Sequence, residues 1–167
     1  MKKIIISILI IIAIFCLWKF VFSRAIKEGS PEDIVQWFIE ADLSGARLGG
    51  QFGNPSDAFS YTIWQGAPGY DEWMVVSGYS IKETEIKENE AEVEVEFTCL
   101  AGNLEYNNEG EAIGIEQCQS EKETVSFSLV KKNDAWKISS PHFVPHISKE
   151  TAAKFFEANN LSLETSN

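Results

Sequence analysis

The stretch from Glu92 to Cys99 reads Glu-Val-Glu-Val-Glu-Phe-Thr-Cys, polar at every even position and apolar at every odd one. A period of two is the signature of a strand with one wet face and one packed face. Such a strand belongs in an antiparallel sheet, because parallel strands are covered on both sides and read as continuous apolar runs. The neighbouring text supplies partners. Val75 to Ile86 reads as a strand and Lys87-Glu88-Asn89-Glu90 as a turn. Asn107-Asn108-Glu109-Gly110 is a second turn, and Ile113 to Val130 is mostly extended. Lys131-Lys132-Asn133-Asp134 is a third turn, and Ala135 to Ser140 a last strand. The expectation is a curved sheet of four antiparallel strands.

Helices flank it. Ser30-Pro31-Glu32-Asp33 opens one, with Ser30 as cap, Pro31 in the first turn and two acids at the positive end of the helix dipole. Ile34, Phe38 and Ala41 fall on one stripe, Ser44-Gly45 interrupts, and Gly49-Gly50 ends the helical region. Residues 51–70 are rich in Gly, Pro and aromatics and read as loops, with a short helical or extended piece around Phe59–Trp64. Ser148 caps a short closing helix over Lys149–Ala158, with Phe155 and Phe156 as its apolar side. A helix followed by a strand meander is an α+β pattern.

The chain's beginning is of another kind. Lys2 and Lys3 precede fifteen residues, Ile4 to Trp18, in which Ser7 is the only polar one. Lys19 can snorkel and Trp18 can sit at the interface, so Ile4–Phe22 can span a bilayer as an uncleaved anchor. A cleaved signal peptide is the rival, although Lys19 and Arg24 fit a cleavage region badly. The resulting organisation is 1–23 membrane anchor or signal segment, 24–29 linker, 30–160 extracytoplasmic domain and 161–167 tail. Residues after position 23 carry 11 basic against 25 acidic side chains, a net charge of −14. That surface repels phosphate backbones, so no nucleic-acid partner is expected.

Taken together, SPEDIVQWFIEADLSG, a long loop, four antiparallel strands and a closing NDAWKISSP resemble the nuclear transport factor two-like superfamily, the cone shared with ketosteroid isomerase and SnoaL-like proteins. The resemblance covers roughly 30–148 as a pattern of elements, with no signature motif. With an anchor in front, it also resembles bacterial extracytoplasmic proteins. It implies a helix packed on a cone-like sheet in the periplasm, held to the inner membrane by a single pass, or a secreted domain if the first segment is removed. The superfamily holds isomerases, dehydratases, ligand binders and interaction domains, so fold does not settle function.

The chemistry-bearing residues are few. His142 and His146 are four apart, but Pro145 between them favours extended backbone, where such positions lie about 13 Å apart at about 3.3 Å per residue. One metal cannot hold both, and no metal site is expected. By the resemblance, an acid, base or donor inside the cone would come from Asp57, Asp71, Tyr61, Tyr79 or His142. None sits in a motif, so no catalytic residue is assigned. Trp37, Trp64 and Trp73, with Tyr61, Tyr79 and His142, are candidates to line a ligand pocket, and as aromatics they serve equally as core. No cofactor is implied.

The cysteines carry more. If Asn107–Gly110 is a four-residue hairpin loop, Tyr106 faces Glu111 and Cys99 faces Cys118 directly, at a spacing that suits a disulfide. The alternative is two small buried thiols that pack as hydrophobes, whereas a disulfide implies an oxidising compartment outside the cytoplasm. Farther from the turn, Val93, Val95 and Phe97 must share a face with Val125, Phe127 and Leu129, and one extra residue between Gln119 and Thr124 would reconcile the two registers as a bulge. The same register draws Leu104, Tyr106, Ile113 and Ile115 to one face of the hairpin tip, either a contact surface for a protein partner, a second copy or the membrane, or a patch covered by the long Gln51–Tyr70 loop. The sequence thus predicts a membrane-anchored, non-enzymatic interaction domain. The alternative is a small apolar ligand binder, or an isomerase or lyase working inside the cone.

Overall fold

The computed structural model describes residues 29–49, 53–65, 72–158 and 160; the expected anchor over 1–23, all of the expected linker but Gly29, and the tail over 161–167 lie outside them. No helix among the described residues is long and apolar enough to cross a membrane.

Helix α1 (Pro31–Leu43) begins as its sequence dictates. Ser30 accepts the Asp33 backbone N–H, and the Asp33 carboxylate accepts the Ser30 N–H, a reciprocal capping box. Ile34, Val35, Phe38 and Ile39 are buried, and so is Asp42. After Ser44, Gly45 turns the chain at φ 90°, a conformation glycine adopts without steric cost, into a single 3₁₀ turn at Ala46–Leu48. A short helix, α2 (Pro55–Phe59), follows with Asn54 as its cap.

The strands are β1 (Met74–Lys87), β2 (Glu90–Ala101), β3 (Leu104–Tyr106), β4 (Ala112–Ile115), β5 (Lys122–Lys132), β6 (Ala135–Ser140) and β7 (His146–Ser148), before helix α3 (Lys149–Ala158). Five form one curled α+β sheet in the order β6-β5-β2-β1-β7, and β3 pairs with β4 in a separate hairpin. The expected count of four is therefore corrected to five. The addition is β7, which lies parallel to β1, with Met74 opposite His146 and Val76 opposite Ser148. Three residues show no period, so this strand is specified by what it packs against. The expected extension from Ile113 to Val130 is also broken, into β4 and β5 with irregular chain between.

The alternation in β2 behaves as read. Val93, Val95 and Phe97 are fully buried, opposite Phe127, Val125 and Glu123 respectively. Register shifts near Val76 and Ile81 in the β1–β2 ladder bend the sheet. Across its inner face lies α1, and Phe38 meets Phe127 and Phe143 edge-on at ring separations of 6.0 and 6.2 Å. On the outer face Glu96 bridges Lys82 and Lys122 at 2.9 and 2.8 Å. A second, smaller core joins Trp73, Val75, Leu104, Ile147 and Phe156, tying the hairpin and α3 to the edge of the sheet. Ser148 caps α3 through the Thr151 N–H.

Candidate functional site

The expected disulfide is present: Cys99 in β2 is bonded to Cys118, with Cα atoms 6.1 Å apart. The register around it differs from the simple one. Tyr106 pairs with Ala112, not Glu111, because Asn107 organises a longer loop. Its side chain accepts the Glu109 and Glu111 N–H groups, and its own N–H reaches the Glu111 carbonyl. At the other end Thr98 pairs with Lys122, and the Cys99 N–H bonds to the Glu121 carbonyl. The mismatch is absorbed where the chain leaves both ladders, over 116–121, and not by one bulged residue between Gln119 and Thr124. Cys118 thus reaches Cys99 from irregular chain.

The four residues expected on one face of the tip separate into two pairs. Leu104 and Ile115 are directly opposed; Leu104 is buried and Ile115 half-buried against the second core. Beyond them, around a register shift, Tyr106 is 57% and Ile113 61% exposed.

At the root of the hairpin, between Trp73, Glu116, the disulfide and Val144, lies a cleft of about 310 Å³. Glu123 enters it from β5 and is held from behind by His146, whose Nε2 lies 2.7 Å from its carboxylate. The His146 ring is buried and stacked on Phe97 at 4.2 Å. Its Nδ1 has no hydrogen-bond partner among the described residues. A bare lone pair costs less there than an N–H without an acceptor, so we assign the proton to Nε2, which donates to Glu123. The His146 backbone N–H donates to Asp42, 2.9 Å away.

Asp42 itself is bidentate to Arg47, at 2.7 Å to Nε and 2.5 Å to Nη2, with both side chains out of solvent. Arg47 also donates to the carbonyls of Phe143 and Val144, and its guanidinium lies 4.5 Å from the Phe143 ring centroid. One buried ion pair therefore holds α1, the 3₁₀ turn, the 143–145 segment and β7 together. The sequence marks neither Asp42, Arg47 nor Glu123 as a site residue, and it offers His146 only as half of a metal pair that extended backbone rules out. The available signal was an acid on the buried stripe of α1 followed five residues later by an arginine.

The aromatic candidates are dispersed. Trp37 and Tyr61 touch at 6.1 Å, and exposed His142 lies over Trp64 at 4.2 Å. Trp64 meets Phe38 edge-on and donates from Nε1 to the Ser139 carbonyl. Trp73 belongs to the second core beside Phe156, and Tyr79 leans on Phe97. Burial, then the nearby Glu40 charge, raises the Tyr79 pKa. Asp57 is exposed, and Asp71 lies outside the described residues. Among the described residues, no three His, Cys, Asp or Glu side chains converge as metal ligands would.

The hydrogen bond from His146 holds the Glu123 carboxyl below its ordinary value of 4.5, against the opposing effect of partial burial. A carboxylate with a lowered folded-state pKa stabilises the fold fully above that ordinary value, and the contribution fades as pH falls through the folded pKa. Glu123→Gln should therefore be less stable than the parent at neutral pH, by on the order of 1 kcal/mol for a partly solvated group. The gap should close below pH 4.5. Melting curves of both chains between neutral pH and pH 3 check this; a gap that persists at the acid end would mean the charge is not its source.

No family model matches the chain, and no curated protein matches it. A solved structure of a Campylobacter jejuni protein described as an NTF2-like transpeptidase is similar at 14% sequence identity and a TM-score of 0.34. The match covers 68% of this chain and 100% of that one.

Proposed function

We propose that the chain is a membrane-anchored, extracytoplasmic interaction domain without enzymatic activity, on a cone of the nuclear transport factor two-like kind. The observation that carries this reading is the distribution of apolar side chains. Where a cone enzyme would keep a cavity, Phe38, Phe97 and Phe127 are fully buried against one another's elements, with Phe143 and His146 completing the layer. Of the five large apolar side chains exposed among the described residues, Leu100, Tyr106 and Ile113 belong to or adjoin the hairpin. A filled interior beside an apolar protrusion favours contact with a macromolecule over turnover of a small one. The disulfide supports an oxidising compartment.

The test uses the full chain in native membranes. N-terminal sequencing of the membrane-bound protein should return Met1, protease should reach the domain only from the extracytoplasmic side, and native electrophoresis should place it in a species larger than its 18.7 kDa. A mature start at Ile26 would remove the anchor. A strictly monomeric chain would remove the interaction role.

A further inference from the structure

Resting on that reading, we infer that the hairpin tip docks a protein surface with an apolar centre ringed by arginine or lysine. Tyr106 and Ile113 lie past the point where Leu104 and Ile115 reach the core, so nothing within the described fold covers them. The tip is held as a unit, through the Leu104–Ile115 pair above and the Cys99–Cys118 bond at its root. Its charge is one-signed. From position 88 to 121 the chain has ten glutamates and neither lysine nor arginine, and Glu105, Glu109, Glu111 and Glu116 surround the two apolar side chains in sequence and are exposed. On the main sheet, Lys82 and Lys122 are engaged by Glu96.

That excess of carboxylates selects the occupant. A second copy would bring the same carboxylates face to face, and an anionic membrane surface would repel them. A basic protein surface satisfies both parts: aromatic or aliphatic groups cover Ile113, a guanidinium can lie over the Tyr106 ring, and further cations pair with the glutamates.

The probe is a short amphipathic peptide with Leu and Trp on one face bordered by Arg, added to the full chain in phosphatidylcholine nanodiscs. Binding should weaken with added salt and vanish for the same peptide with Glu in place of Arg. It should fall about ten-fold or more in Tyr106→Ser/Ile113→Ser and in Glu105→Gln/Glu109→Gln/Glu111→Gln. All five side chains are exposed, so melting temperature should not move, which separates lost contact from lost fold. Equal binding by the parent and these variants would overturn the site. So would a photo-cross-linker at Ile113 that joins two copies of the chain, or that labels lipid in intact cells. No peptide binding while the chain still runs in a larger assembly in membranes would sink the hairpin inference and leave the interaction reading standing. Monomers throughout would end both.

Discussion

An Asp42→Ala chain should lose about 3–5 kcal/mol of stability, the expected cost of leaving a buried charge without its counterion. For a domain of this size that is a fall in melting temperature on the order of 10–20 °C. The reason is geometric. Arg47 has no solvent contact through its side chain and spends its donors on Asp42 and on the carbonyls of Phe143 and Val144. Without Asp42 the guanidinium must stay ionised in an apolar setting, and the His146 N–H loses its acceptor as well. The double variant Asp42→Leu/Arg47→Met should recover a large share of the loss, since an apolar pair of similar volume carries no desolvation cost. Thermal unfolding of the three chains decides the matter. If the double variant is no better than the single one, the pair's worth lies in its hydrogen bonds to the 143–146 segment and not in charge balance.

The second large effect is expected at the disulfide. Peptide mapping without reductant should join Cys99 to Cys118, and Cys99→Ser/Cys118→Ser should cost about 3 kcal/mol in the chain-entropy account for a closed loop of this size. Much of that acts on the unfolded chain, but the folded state changes too. The bond is what returns the irregular 116–121 segment to the sheet, so its loss should open the hairpin root to protease before the sheet unfolds. Denaturant titration with and without reductant measures the first effect, and limited proteolysis the second. Equal stability of the oxidised and reduced parent would show that the loop is held without the bond.

The parts of the fold that repeat a local rule were legible in the chain itself. The Ser30–Asp33 box and the alternation through Val93, Val95 and Phe97 each depend on residues within one element, and each appears where its pattern lies. The cysteine pairing was legible because turn position and strand parity constrain one another, although Asn107 lengthened the loop and shifted the register that suggested it. What was not legible depended on distant partners. His146–Ser148 is a strand only because β1 offers it an edge, and His146 is buried only because Phe97, Asp42 and Glu123 arrive from three other elements. The aromatic residues were visible as a set, but whether they line a hollow or fill it depends on their mutual distances, which composition does not encode.

The parallel seam between β7 and β1 also orders events in time. β1 opens the sheet in sequence, yet its outer edge is covered only by a strand that follows every other one. A chain made from its amino end therefore carries an open, unpaired edge through most of its synthesis, and the Asp42–His146 contact joins residues 104 positions apart. Closure waits for residues 146–158. Were the chain exported as proposed, that late closure would keep the domain translocation-competent until its final elements had passed through.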